Sequence, residues 1–570
     1  MTPKPSDNDA RLAAPAEDQP IDDIDNGNDK YLTGVSLWLA SISLVIPVFL
    51  STLDATIVAT AVPEIVSEFH STLDIGWYST AYSIANCAML PMAGTLNTVF
   101  NIKIVFIVFL ILFELGSALS GAATSSIMLI IGRAIAGMGA AGLYNGSMTM
   151  LTGAVNPKAR AVQISVGTAV AASGTVFGPV IGGALTSGAS WRWCFYINLP
   201  PGVITVLAML FIRFPIRKAK DATPKTILGL VQAIDLVGFV LFAPTCVMLL
   251  LALSLGGTTY AWNSATIIGL FCGTVACCGV FLTWEHFAHE DAMIPLSLLK
   301  QSAVAFSALT IMFQFSGVVC LTYYLPIWFQ TVKGITPLLS GVYQLPTIVS
   351  QTLFTVISGS MVATKGRYAT PVCLIGCALT TIGAGLITTF QPDTSTAKWV
   401  GYQILLGAGR GLSLQIPLIV TQGILPPHMI PKGTSLILLS QFFGCSVFIA
   451  SSQTIFSNQL VHLITERGIP NPLAVVHSGG LPATLKAMGL AHYLAEIALA
   501  YNNALVRTWY LSVVLAGCSF LVAFGMGQKP LNAGANVSNE EGTKALAEKE
   551  ASTIDKPSSV PGSQGTVMEK

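Results

Sequence analysis

Apolar residues in this chain gather into about fourteen runs, each near the ~20 residues that an α-helix needs to cross a bilayer core. Broken at loop residues and charges, the runs cover 35–60, 77–97, 103–121, 125–150, 160–186, 191–213, 231–255, 263–286, 302–326, 337–361, 369–390, 397–423, 433–457 and 507–527. Hydrocarbon offers no water to an unpaired N–H or C=O, so each run in an open chain has to be helical. An all-α polytopic membrane protein is therefore expected. Composition agrees, since 10% of residues are charged against about 25% in soluble domains, and mean hydropathy is +0.69. A net charge of +1 gives no global field, so no nucleic-acid partner is expected. The eleven cysteines fall in apolar runs and read as packing residues, not as a disulfide framework in loops.

Residues 1–34 are acidic and rich in Pro, Asp and Asn, with no short apolar region ahead of a small-residue cleavage site. They and residues 528–570 are too polar to offset the entropy of ordering and are expected to be disordered tails. Between them the expected division is a six-helix half over 35–213, a loop and two linker helices over 214–300, and a second six-helix half over 301–527. A long connection, 458–506, contains a weakly apolar stretch at 490–500 that reads as an interfacial or re-entrant helix. With the amino terminus inside, the inner loops hold Lys103, Lys158, Arg160, Arg213, Arg217, Lys218, Lys220, Lys225, Lys300, Lys365, Arg367 and Lys432, as the positive-inside rule requires. Both tails are then cytosolic.

Three features stand out against this apolar background. Gly174, Gly178 and Gly182 recur every four residues in SGTVFGPVIGGAL, with Pro179 beside one of them, a spacing that lets two membrane helices approach closely. The bland reading is a static tight crossing; the functional one is a helix that rocks. Arg133 and Glu114 lie at similar depths in the fourth and third runs, so an ion pair or proton-linked pair between them is expected, with a fixed structural bridge as the alternative. Asp54 interrupts GVSLWLASISLVIPVFLSTLDATIVATAV and is either an interfacial acid touching water or a rim residue of an outward-facing cavity.

Four ordered motifs resemble those of the major facilitator superfamily, fourteen-span drug:proton antiporter kind, and the chain is similar to fungal toxin and multidrug efflux pumps. LDATIVATAVPEI resembles the first-helix signature LDxTIVNxALP through Asp54, Thr56 and Pro63, with Ala59 in place of Asn. RAIAGMGAAG matches RxxxGxG through Arg133, Gly137 and Gly139; GTVFGPVIGG matches the antiporter motif through Gly174, Gly178, Pro179, Gly182 and Gly183; and SWRWCFYINLPPG matches WRWxFxINLPxG. The resemblance implies two six-helix halves plus two linker helices, and proton coupling or gating by Asp54, Glu114 and Arg133. It also implies an inner-loop gate. That loop reads GTLNTVFNIKIVF, keeping Gly94 and Lys103 but placing Thr98 where the family has an acid, and SGSMVATKGRYATP echoes it later through Gly366 and Arg367. The gate is expected to use hydrogen bonds where relatives use a charge pair.

The implied function is proton-coupled export of small amphiphilic organic compounds by alternating access, with a facilitator or importer as the alternative. Substrate-cavity candidates are the uncharged polar and aromatic residues Gln314, Tyr324, Gln344, Gln415, Gln441 and Phe442, any one of which has helix-to-helix bonding as its bland reading. Partners are the organic substrate, protons and the bilayer; a monomer in the plasma membrane is expected, with a vacuolar or other internal membrane as the alternative. HFAHED, with His286, His289, Glu290 and Asp291, faintly resembles a histidine box of a membrane metalloenzyme, but the other histidines are scattered singly. No metal, cofactor or enzymatic activity is expected, and no GxxxxGK(S/T) sequence supports ATP drive.

Overall fold

The computed structural model describes residues 32–527 apart from 33, 70–73, 213, 215–226, 258–259, 289–291, 365–368, 478–484 and 487. The two tails, most of the 214–226 loop, Gly366, Arg367, His289, Glu290 and Asp291 lie outside the described residues.

The first half comprises α1 (Gly34–Phe69), α2 (Ile75–Val99), α3 (Ile102–Gly121), α4 (Ser126–Ala154), α5 (Pro157–Gly188), the short α6 (Trp193–Tyr196) and α7 (Leu199–Phe211). Then come α8 (Ile227–Ala233), the linker helices α9 (Leu236–Leu255) and α10 (Ala265–Ala288), and α11 (Leu296–Lys300). The second half comprises α12 (Ser302–Thr331), α13 (Pro337–Val342), α14 (Leu345–Thr364), α15 (Ala369–Ile387), α16 (Thr396–Ser413), α17 (Ile416–Ile424), α18 (Ile430–Glu466), α19 (Pro472–His477) and α20 (Leu494–Ala523). Among the described residues, 13 helical stretches are long and apolar enough to cross a membrane. Of the runs read from the sequence, α2 is missing from that set; its 25 residues include Asn86, Asn97 and several hydroxyls.

Three spans are broken in two at the same kind of place. Pro200, Pro346 and Pro417 each stand second in the continuing helix, directly after the breaks at 197–198, 343–344 and 414–415. A proline supplies no N–H and its ring crowds the carbonyl four residues earlier, so the preceding turn is released while the next helix starts unhindered. The expected interfacial helix at 490–500 is corrected. Leu494 to Ala500 form the first turns of α20, with Ile497 and Ala500 buried in an apolar cluster that includes Leu460 and Ile464 of α18. The connection between these helices therefore shrinks to 467–493.

Small residues set the closest crossings, and they recur in both halves. Gly116 lies against Ala136 and Gly139 against Phe113 where α3 meets α4; Gly376 lies against Ser413 and Gly409 against Thr380 where α15 meets α16. Gly137 faces the Tyr82 carbonyl on α2, as Gly407 faces the Thr347 carbonyl on α14. The linker is anchored by Asp235, at φ 49°, which accepts from the Gly238 and Met293 amides and the Trp284 indole, while Lys432 of α18 donates to the Ala292 carbonyl at 2.7 Å.

Candidate functional site

The packing of α1, α2, α4 and α7 brings a charged pair together in the first half. Asp54 and Arg133 are both fully buried and form a salt bridge through Oδ2 and Nη1. The guanidinium also donates from Nε to the Tyr78 carbonyl at 2.9 Å and from Nη2 to the Asp54 carbonyl at 3.3 Å, and it lies 4.5 Å from the Tyr82 ring centroid. Asn198, at the start of α7, donates its amide to Asp54 Oδ1 at 3.2 Å and to Ser117 Oγ of α3 at 3.1 Å. Arg133 is thus charge-paired and hydrogen-bonded at all three guanidinium nitrogens, which is what a cation needs to persist in a low-dielectric interior.

Two expectations change here. Arg133 pairs with Asp54, not with Glu114, because the α4 face carrying Arg133 looks toward α1 and α2, whereas Glu114 rests against Gly202 of α7. Nor is Asp54 an interfacial acid; it is sealed from solvent. Glu114 remains beside this pair with both carboxyl oxygens buried and, among the described residues, without a hydrogen-bond partner. Asn198 and Gly202 are four residues apart on one face of α7, so Asp54 meets the first and Glu114 the second. Asn198 was legible as a lone amide in the INLPPG segment, although charge alone does not single it out.

The glycine motif packs on α1. Gly174 faces Thr52, Gly178 faces Thr56 and Gly182 faces Thr60, while no described residue lies within 4 Å of where a Gly183 side chain would begin, and Pro179 is exposed. Thr52 donates to the Ala171 carbonyl at 2.6 Å, which reinforces the crossing. The helix that carries Asp54 is therefore seated directly on the glycine face of α5.

Beyond the Gly34–Val58 membrane span, Glu68 is clamped by the sixth-span motif. It accepts from the Trp191 indole at 2.6 Å and from Arg192 at 2.7 Å, and Arg192 also donates to the Gly121 and Ala123 carbonyls. The Trp191 hydrogen bond, aided by Arg192 and opposed by desolvation, holds Glu68 below the ordinary value of 4.5. A lowered carboxylate pKa gives stability that is complete above the ordinary value and is lost as pH falls through the lowered one. Glu68→Gln is expected to lower the melting temperature slightly at neutral pH and to make no difference once the pH is below that lowered pKa, as thermal unfolding at a series of pH values would show.

At the end of the bundle carrying Lys103, hydrogen bonds join the halves. Ser435 of α18 donates to the Leu90 carbonyl at 2.5 Å, Asn145 donates to the Pro431 carbonyl at 3.3 Å, and Thr152 donates to Gln422 at 2.8 Å. Gly94 leaves room for Ser435, and Gly359 for Ser165. Among the described residues Thr98 takes no part in this seam. Its hydroxyl donates back to the Thr95 carbonyl, and Asn97, on the face turned to α4, donates to Asn145 instead. Lys103 caps α7 through the Ile212 carbonyl at 2.9 Å.

A family profile for the Major Facilitator Superfamily matches residues 44–449, which takes in the Asp54–Arg133 pair, the glycine face and the seam between the halves. The chain belongs to the Major Facilitator Superfamily. The MFS-type transporter pigP of Monascus ruber is 42% identical over 501 residues, covering 88% of each chain. The efflux pump mlcE of Penicillium citrinum is 41% identical over 542 residues, 92% of this chain and 94% of that one. Among solved structures, the proton:xylose symporter XylE bound to 6-bromo-6-deoxy-D-glucose shares the fold at a TM-score of 0.55 and 14% identity, over 87% of this chain and 98% of that one.

In this superfamily member the second half repeats the packing but not the charge. Four residues before Gly407, where α4 has Arg133 before Gly137, α16 has Gln403, buried and bonded to Thr347 at 2.9 Å. Of the cavity candidates, Gln314 ties helices together: its amide donates to Thr380 and Ser413 and accepts from Ser519, knitting α12, α15, α16 and α20. Tyr324 is fully buried and donates to Gln453 at 2.9 Å. Gln344 and Gln415 sit in the proline-linked breaks of the α13–α14 and α16–α17 spans, where the helix is interrupted. Gln441 and Phe442 lie on α18, and the Phe442 ring meets Tyr144 of the first half at 6.0 Å and Phe315 at 6.1 Å.

Proposed function

We propose that the protein is a proton-coupled exporter of small amphiphilic organic compounds, working by alternating access between its two halves. The observation that carries this reading is the buried Asp54–Arg133–Asn198 assembly with the unpartnered carboxyl of Glu114 beside it. A paired acid fixes the local charge, and a second carboxyl that bonds to nothing can change its charge without breaking a hydrogen bond. Ionisable groups at such depth serve proton and ion routes far more often than static packing. Export is supported by the names of relatives, mlcE of Penicillium citrinum and mokI of Monascus pilosus, both efflux pumps about as similar to this chain as to be aligned over most of its length.

In the proposed cycle the compound binds between the halves near Gln344, Gln415, Gln441 and Phe442, and the described conformation is closed at the Lys103 end by the Leu90–Ser435 and Thr152–Gln422 hydrogen bonds. Opening that seam requires α2 and α4 to part from α17 and α18, and a change of charge beside Asp54 shifts α1 along the glycine face of α5. The protein would act as a monomer in the plasma membrane with both tails cytosolic. Glu114→Gln keeps the shape and removes the proton site. It is expected to reduce gradient-driven export by about tenfold or more while leaving exchange of internal for external compound intact. Undiminished gradient-driven export in that variant would remove Glu114 from the proton route.

A further inference from the structure

The bundle holds a further cation at mid-helix that the proton assembly does not use. Arg410 lies on α16 within the Thr396–Ile424 span, fourteen residues from either end, or about 21 Å along the helix. Among the described residues its guanidinium makes no hydrogen bond and no salt bridge, and Nε is sealed from solvent without a partner there. The residue as a whole is only partly buried, and its terminal guanidinium nitrogens, unlike Nε, are not among the sealed atoms. The contrast with Arg133 is direct: one arginine has a carboxylate and two carbonyls, the other has none. Its neighbours are rings and a thiol. Phe315 lies 5.6 Å from the guanidinium, and Tyr144 of the first half and Cys445 of α18 are close enough to interact with it electrostatically. Phe442 joins Phe315 to Tyr144 by edge contacts. Cation–π contact holds a guanidinium in place but leaves its charge uncompensated, and an uncompensated charge at mid-membrane is costly enough that it persists only where something else supplies the anion.

We propose that Arg410 anchors an acidic group on the transported compound, so that amphiphilic organic carboxylates are the preferred cargo. This rests on the exporter reading above and specifies its substrate class. The guanidinium fork takes the carboxylate in two parallel hydrogen bonds. The rings of Phe315, Phe442 and Tyr144 take the flat apolar body. Since Tyr144 belongs to the first half and Arg410 to the second, a compound held by both touches the two bodies that move.

The test uses the full chain in lipid nanodiscs and two probes that share one aromatic body, 1-pyrenebutyrate and its neutral amide, with binding to protein-free nanodiscs subtracted. The wild-type protein is expected to bind the carboxylate about ten- to a hundredfold more tightly than the amide. Arg410→Gln is expected to bring the two to within about twofold of each other by weakening the carboxylate alone, and Arg410→Lys to restore part of the preference. Retained amide binding shows that the variant is folded. Equal affinities in the wild type, or a carboxylate preference that survives Arg410→Gln, would overturn the assignment. Transport of 1-pyrenebutyrate under an imposed pH gradient is followed separately: its failure in the wild type, despite tight binding, counts against the exporter reading and leaves the comparison of affinities untouched.

Discussion

Asp54→Asn is expected to abolish gradient-driven export and to lower thermal stability. Asparagine has nearly the volume of aspartate, so no cavity or clash follows. The hydrogen bonds fail instead. Asp54 now accepts on Oδ2 from Arg133 and on Oδ1 from Asn198, both of which are donors. An amide offers one accepting oxygen and turns an N–H₂ group toward the other donor. Arg133 is left with the Tyr78 and Asp54 carbonyls and no counter-charge in a site closed to water. Removing one partner of a buried ion pair typically costs about 3–5 kcal/mol. A fall in melting temperature, measured on the purified protein, should therefore accompany loss of flux, and Asp54→Asn protein that melts and pumps like the wild type would contradict this account of the pair.

The second large effect is steric. Gly178→Leu places a branched side chain where Thr56 of α1 already sits, and the helix backbone at Ile57 stands just behind it. Neither helix can yield without shifting the other contacts at Gly174 and Gly182, which face Thr52 and Thr60 on the same seam. Overpacking of this kind costs about 1–3 kcal/mol and occasionally more. The expected outcome is loss of transport with reduced abundance in the membrane. Gly183→Ala is the matched control, since among the described residues nothing lies within 4 Å of a side-chain carbon placed there; it should change stability by no more than about 1 kcal/mol and leave flux unchanged. If both variants behave alike, the seating of α1 on α5 does not limit motion.

Much of the architecture was legible because hydrocarbon leaves a chain few choices: apolar runs of sufficient length become helices, and glycines four apart mark a crossing. The face on which a charge lands was harder to read. Depth along the helices placed Arg133 level with Glu114, but partner choice depends on rotation about the helix axis, and rotation is set by packing that no single run reveals. Hence Asp54, not Glu114, holds the arginine. The same limit explains Thr98, whose hydroxyl turns back to its own helix while Gly94 and Asn97 face neighbours. Gln314 looked like a ligand contact and is engaged by three hydroxyls of neighbouring helices. The start of α20 was obscured by Glu496, Asn502, Asn503 and Arg507, which lower the hydropathy of a stretch that is nonetheless helical. Arg410 carries as plain a signal as Arg133, being the sole Lys, Arg, Asp or Glu between Lys398 and Lys432.

Proteoliposomes loaded with a pH-sensitive dye give the most direct test of proton exchange at Glu114 beside the Asp54–Arg133 pair. With a compound that the protein moves, each turnover should carry protons in the opposite direction, and an ionophore that collapses the pH gradient should stop accumulation. The Glu114→Gln protein should exchange compound across the membrane without moving protons. Accumulation that proceeds at the same rate and to the same level after the gradient is collapsed would contradict proton coupling at this site.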